Sequence, residues 1–233
     1  MGLPSIATPQ FSTTIPSTGQ EVEYRPFLVK EEKILLMALE GGDQKEIAKA
    51  TEKIIKSCII DDIDISKLAT FDVEYLFLKL RGKSVGEVID LKVAHTDENS
   101  ECKHRTDIEI NIDDIAVWGE ELDNKIMIDD NVGVVLRFPG MKDVDGMDLE
   151  SPESMFGVIG NCIDYVFDDD TVYNEFTKKE IDDWVEALNQ KQFLKIAEFF
   201  NNIPKLSYKV EWTCPECGKD DSIVLEGLQS FFM

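Results

Sequence analysis

Basic side chains are scarce in this chain: 24 lysines and arginines face 47 aspartates and glutamates over 233 residues, for a formal net charge of −23. So acidic a surface repels phosphate backbones and anionic lipid. No local basic patch offsets it, because the cations sit among acids, as in Lys30-Glu31-Glu32-Lys33 and Lys178-Lys179-Glu180. Nucleic acid and membranes are therefore not expected partners. The charge reads first as a soluble, self-repelling surface and second as an acidic face for a basic partner; composition does not separate the two. Long apolar runs are missing as well. None approaches the roughly 20 residues that cross a bilayer, and residues 1–20 lack the basic and apolar regions of a secretory signal. Cysteine occurs five times, at Cys58, Cys102, Cys162, Cys214 and Cys217. An odd, widely spread set does not make a secreted disulfide framework, and it places the chain in a reducing cytoplasm.

Catalytic signatures are equally sparse. His95 and His104 are the only histidines, and no serine or cysteine nucleophile motif accompanies them. Gly82-Lys83-Ser84 ends like a phosphate loop but lacks the glycine five residues earlier. The acidic clusters Asp61-Asp62-Ile63-Asp64, Asp129-Asp130, 143–148 and Asp168-Asp169-Asp170 lack the ligand spacing of a calcium loop and read as solvated loops. Acid pairs for glycoside hydrolysis do not follow from abundance alone. The expectation is a protein that is not an enzyme.

What is present is a mixed pattern, an α+β fold. Pro4, Pro9 and Pro16 among serines and threonines predict an extended N-terminal arm over residues 1–19, mobile in isolation. A short strand at 21–25 ends at Pro26. Helices follow at 31–40, stopped by Gly41-Gly42, and from a cap at Asp43 to about Ile60, where Ile47, Ala50, Ile54, Ile55 and Cys58 recur at helical spacing. Residues 71–80 are apolar on more than one face and predict a buried helix with Gly82 as its stop. Alternation at 88–95 and 106–112 predicts a hairpin, and 125–138 holds further strand material. An acidic loop covers 140–150. Ser151-Pro152 and the Thr177/Glu180 capping box open helices at 152–167, 178–189 and 190–202. A second hairpin spans 206–213 and 222–225. The apolar end, Leu228-Gln229-Ser230-Phe231-Phe232-Met233, reads as a last turn packed on the core or as an anchor for a partner.

The two halves share an order of parts. Ile54-Ile55-Lys56-Ser57-Cys58 and Val158-Ile159-Gly160-Asn161-Cys162 each end or nearly end a helix, and Lys92-Val93 matches Lys209-Val210 in the hairpins. The architecture expected is two similar helical units, each followed by a β-hairpin. The first unit covers 20–140 with its hairpin at 88–112. The second covers 141–233 with a zinc-ribbon-like hairpin at 206–226.

Cys214-Pro215-Glu216-Cys217-Gly218 is the sharpest local signal. Two thiolates three residues apart grip one metal ion, and Pro and Gly shape the turn that aims both sulfurs inward. A structural zinc takes four ligands. His95 and Cys102 from the first hairpin, with His104 as an alternative, complete the set if the hairpins lie side by side. The opposing reading is a knuckle that folds without metal. A redox pair is disfavoured because Gly218-Lys219-Asp220-Asp221 reads as a turn and no helix follows to lower a thiol pKa. Cys58 and Cys162, on apolar helix faces, read as inert buried thiols.

Several strings resemble a known family. Gly2-Leu3-Pro4, then Thr18-Gly19 with Val22, and Tyr24-Arg25-Pro26-Phe27-Leu28-Val29-Lys30-Glu31-Glu32-Lys33-Ile34-Leu35-Leu36 are similar to the start of baseplate hub subunits of T-even-type contractile-tailed phages. So are residues 71–87, from Phe71-Asp72-Val73-Glu74-Tyr75 to Gly86-Glu87, and the close from Leu225-Glu226-Gly227-Leu228 to Phe231-Phe232. The resemblance spans nearly the whole chain. It implies a structural or assembly protein of the tail baseplate hub that acts by protein–protein binding. Its partners would be other hub proteins or the tape-measure protein. It would be found in the host cytoplasm during assembly and, if retained, in the virion tail. A tail assembly chaperone absent from the mature particle is the alternative, and a zinc-ribbon regulator of host proteins a more distant one. The resemblance carries over no catalytic residues. Many members of the family carry Cys-x-x-Cys at the first hairpin too, where this chain has His95, Cys102 and His104.

Overall fold

The computed structural model describes residues 6–97, 101–120, 122–144 and 152–231. In chain order the elements are β1 (Phe11–Thr14), β2 (Glu21–Tyr24), α1 (Val29–Gly41), α2 (Gln44–Cys58), α3 (Thr70–Ser84), β3 (Val88–Ala94), β4 (Arg105–Asn111), β5 (Ala116–Trp118), β6 (Lys125–Met127), β7 (Gly133–Leu136), α4 (Met141–Val144), α5 (Pro152–Asn161), β8 (Ile163–Phe167), β9 (Val172–Tyr173), α6 (Lys178–Glu186), α7 (Gln190–Asn201), β10 (Lys205–Thr213) and β11 (Asp220–Glu226). Helices and small antiparallel sheets are interleaved, as an α+β fold requires. No helix among the described residues is long and apolar enough to cross a membrane.

The chain forms two compact units that are not contiguous in sequence. One takes the described residues up to Ile65, 71–118 and those from Lys205 onward; the other takes 66–70 and 119–204. The linear division at 140/141 groups the second hairpin with 141–233, whereas in space this hairpin packs within the first unit. The reason is pairing and burial: β10 pairs with β5 as well as β11. Its Leu206, Val210 and Trp212 share one apolar core with Ile89, Leu91, Val93 and Ile110 of β3 and β4, and with Leu78 of α3. The last turn joins this core through Phe231, which is buried. Residues 232 and 233 lie outside the described residues.

The N-terminal arm is corrected in part. Residues 11–24 form a hairpin, β1 pairing antiparallel with β2. Ile15 at its turn is fully buried, and Ser17 donates from its backbone N–H (2.9 Å) and its hydroxyl (2.5 Å) to the buried carboxylate of Asp72 on α3. Pro9 precedes β1 and Pro16 lies in the turn, so neither interrupts a strand. Residues 1–5 lie outside the described residues.

Other expectations shift locally. α1 stops where expected, with Gly42 at φ +67 accommodating the left-handed cap. Gly82 does not end α3 but lies inside it, packed beside Ile112. The helix expected over 152–167 ends at Asn161. Ile163-Asp164-Tyr165-Val166-Phe167, rich in β-branched and aromatic residues, joins β7 as a strand instead. In the second unit the sheet β6-β7-β8-β9 and helices α5 to α7 enclose Val134, Leu136, Ile159, Ile163, Ile181, Ile196 and Phe199. Residues 141–144 of the expected acidic loop form a helical turn; 145–150 lie outside the described residues.

One arrangement of bonds occurs twice, once in each unit. Just after β2, the Arg25 backbone N–H donates to the Cys58 carbonyl (3.0 Å). Its guanidinium donates to Pro26 O (2.9 Å), Ser57 O (2.8 Å) and the Glu31 carboxylate (3.0 Å), and Glu31 also accepts from the Leu28 N–H (2.7 Å). Just after β7, Arg137 repeats this. Its N–H donates to Cys162 O (2.9 Å) and its guanidinium to Phe138 O (3.3 Å), Asn161 O (2.7 Å) and both oxygens of Asp143, which accepts from the Gly140 N–H (2.8 Å). Each clasp ties a strand end to a helix end at a buried cysteine. Asp143, expected in a solvated loop, is thus a buried ion-pair partner.

Burial would raise the Glu31 carboxyl, but the hydrogen bonds from Arg25 and the Leu28 N–H outweigh it and hold the pKa below its ordinary value. Asp143 is lowered in the same way by Arg137 and Gly140 against its own desolvation. A carboxylate with a depressed folded-state pKa contributes stability that is present above the unfolded pKa and lost as pH falls through the folded one. The melting temperature should therefore drop on acidification below about pH 4, and this acid dependence should weaken in an E31Q/D143N variant, as thermal unfolding across pH will show. R25A should lower the unfolding free energy by about 1–3 kcal/mol, because it leaves the nearly buried Glu31 carboxylate with only the exposed Lys30 ammonium and the Leu28 N–H. R137A, whose side chain is 41% exposed, should cost less. R25K should recover only part of the loss in denaturant titrations, since one ammonium cannot replace the planar fork.

Candidate metal centre

The shared core of the first unit aligns two hairpins so that their tips meet. β3 and β4 pair in register from Val88↔Asn111 to Ala94↔Arg105, with Ile89, Leu91 and Val93 turned inward. His95 follows directly on β3, and Cys102 lies on the return of the loop before β4. β10 and β11 pair from Ser207↔Glu226 to Thr213↔Asp220, leaving Cys214 to Lys219 as the connecting knuckle. The knuckle is closed by Cys214 N–H to Lys219 O (2.9 Å) and Gly218 N–H to Cys214 O (2.8 Å). Gly218, at φ +70, supplies the left-handed residue this turn requires. Asp220 and Asp221, expected in a turn, begin β11.

The structure brings Cys214, Cys217, Cys102 and His95 together: one ligand atom from each lies within 4.8 Å of every other. Cys102 Sγ is 3.8 Å from Cys214 Sγ, and Cys217 Sγ is 3.4 Å from His95 Nε2. A tetrahedral zinc with Zn–S near 2.3 Å and Zn–N near 2.05 Å has S···S edges of about 3.8 Å and S···N edges of about 3.6 Å. The donor set and these two separations fit the ion. Cys214 is buried, His95 and Cys102 are half-buried, and Cys217 is exposed. The ring of His104 is not in the group.

The electrostatics suit a cation. The Cys217 backbone N–H, helped by the Glu216 N–H and His95, pulls the Cys214 thiol down to about 6. That leaves a thiolate, the form that binds metal, at neutral pH. His95 is raised by its contacts with Cys214 and then Asp221. Asp221 is held well below the carboxylate range, first by the Thr96 hydroxyl and then by the Thr96 N–H. Neither Thr96 nor Asp221 was singled out by the sequence. The signal that could have found them is an acid at the start of the strand after the knuckle, opposite the histidine. By contrast, burial pushes the Cys58 thiol up to about 11 and that of Cys162 up to about 12, as inert thiols require. Two of the other acidic clusters close turns: Asp129 accepts from the Asn131 and Val132 N–H groups, and Asp168 from those of Asp170 and Thr171; Asp61 instead accepts from the Glu23 N–H.

Comparison with known proteins follows from this fold and centre. The family described as T4 bacteriophage base plate protein matches residues 8–233, and the chain belongs to it. Within phage proteins, the baseplate hub assembly protein gp26 of Enterobacteria phage T4 is similar, at 24% identity over 214 residues, covering 91% of this chain and 92% of that protein. No solved structure matches the chain.

In chelator-treated protein at pH 7, brief alkylation should label the exposed Cys217 first and the half-buried Cys102 more slowly, while the buried Cys58 and Cys162 remain unmodified. Added zinc should slow labelling of Cys102 and Cys217, since a metal-bound thiolate is no longer a free nucleophile, as peptide mass spectrometry will measure.

Proposed function

We propose that this chain is a structural or assembly protein of the phage tail baseplate hub, acting by binding other proteins and not by catalysis. The observation that carries the reading is the family match over residues 8–233, joined by a relative named for hub assembly that aligns over nine-tenths of both chains. Its partners are other hub proteins or the tape-measure protein. It works in the host cytoplasm while the tail is built and stays in the baseplate if it is retained. The chaperone reading, in which the chain leaves before the particle matures, draws support from the word "assembly" in the relative's name. Exposed apolar side chains on α1, Val29, Leu36, Met37 and Leu39, are consistent with a protein-binding surface.

We also infer that Cys214, Cys217, Cys102 and His95 hold one structural zinc ion. Four protein ligands leave no open coordination position, so the ion would fasten the fold and would not activate a substrate. Recurrence of the Arg–carboxylate–cysteine clasp in both units supports reading the chain as a duplicated unit of helices followed by a hairpin, with the ion between the paired hairpins.

Mass spectrometry of purified particles, beside a pull-down from infected cells, tests the functional reading. A hub subunit appears in particles at fixed copy number. A chaperone co-purifies with hub or tape-measure proteins and is missing from particles. Capture of host polymerase or a host protease alone, with no tail protein, would refute both.

A further inference from the structure

Behind the four candidate ligands stands a residue that ligates nothing. Asp221 Oδ2 lies 3.1 Å from His95 Nδ1 and 3.0 Å from the Thr96 backbone nitrogen. Its Oδ1 accepts from the Thr96 hydroxyl (2.6 Å) and the Ser222 N–H (2.8 Å). The carboxylate is thereby oriented from three sides. His95 and Asp221 side chains are 6% and 15% exposed, so little water competes for their contact. The opposite ring nitrogen, Nε2, is the one that faces Cys217 Sγ.

We propose that Asp221 is the positioning residue of the metal centre. It keeps the His95 proton on Nδ1, so that the Nε2 lone pair meets the ion. Through Thr96 it also locks the loop of the first hairpin to the start of β11. The inference rests on the zinc reading given above. A neutral imidazole has one nitrogen to donate and one to accept, and the hydrogen bond made by one fixes the role of the other. A carboxylate behind a ligating histidine also raises the basicity of the ligand, and its loss typically weakens metal binding 10- to 100-fold. Asp221 therefore couples two events that are 126 residues apart in sequence for its contact with His95: docking of the hairpin loops and presentation of the fourth ligand.

The test uses the full chain, with zinc affinity measured by competition against a chelator and with ¹⁵N shifts of the His95 ring in the zinc-loaded protein. The wild type should bind one zinc, with the ring protonated at Nδ1 and metallated at Nε2. D221N should bind one zinc about 10- to 100-fold more weakly. T96A, which leaves the Asp221–His95 contact in place, should lose much less. Cobalt substitution should give a three-thiolate spectrum in the wild type and in T96A, and thermal unfolding with excess zinc checks that each variant folds. A wild type that takes up no zinc would overturn the metal reading and this one with it. One equivalent of zinc bound as tightly by D221N as by the wild type, or a ring metallated at Nδ1, would overturn the role of Asp221 and leave the metal reading standing. Equal losses in T96A and D221N with the ring unchanged would likewise overturn it, by reducing Asp221 to a loop tether.

Discussion

The centre depends on the burial of two hairpins against one core. Cys102 and Cys214 are 112 residues apart and His95 and Cys217 are 122 apart, so their meeting is not a local event. Bringing such distant segments together costs closure entropy, which grows only slowly with length but must be met before any ligand bond forms. Apolar area supplies it: Ile89, Leu91, Val93 and Ile110 on one hairpin, Leu206, Val210 and Trp212 on the other, with Leu78 and Phe231 completing the cluster. At roughly 1.5–3 kcal/mol for each large side chain buried, this cluster sets the hairpins before the tips are fastened. A metal would then meet tips that apolar packing already holds close, so that a fourth ligand would add stability and would not have to create the fold.

A second constraint is charge. The chain holds only four arginines, and two of them sit in the clasps at Cys58 and Cys162. The choice of arginine is chemical: each guanidinium serves a carboxylate and two backbone carbonyls at once, which a lysine ammonium on its flexible stem does not match. In a chain of net charge −23, most carboxylates must face water, and a buried one needs donors aimed at it, as Ser17 supplies for Asp72. Glu31 and Asp143 are buried because Arg25 and Arg137 are there.

These two constraints differ in how legible they are in the sequence. Hairpins, knuckle and most helices follow from period, caps and turn residues, which are local. Gly41-Gly42 and the Thr177/Glu180 box end and begin helices where their chemistry says they should. The convergence of His95, Cys102, Cys214 and Cys217 could be read as a possibility because ligand types are few and the hairpins match. The clasps were hidden. Arg25 and Glu31 stand six apart, as do Arg137 and Asp143, and nothing at that spacing signals a bond to a carbonyl more than twenty residues away. The strand at 163–167 was masked by the helix before it, since Val158 to Phe167 reads as one apolar run. The anchoring of the N-terminal segment rests on Asp72, whose burial under Ser17 depends on tertiary packing alone.

The same charge argument links the centre to assembly. To hold a cation the three cysteine sulfurs at the hairpin tips must lose their protons, and in a strongly acidic chain three thiolates would repel one another and their surroundings. A divalent cation removes most of that repulsion, and neutral His95 adds a ligand without adding charge. With four protein ligands a bound ion would have no open position for a substrate, and its effect would fall on the shape and rigidity of the paired hairpins. The family match covers residues 8–233, and the acidic surface of this chain, neutralised internally at the Arg25 and Arg137 clasps, is what a partner protein would meet. That is the physical content of a role in building a larger assembly: the chain has been arranged to hold a form that other proteins can meet.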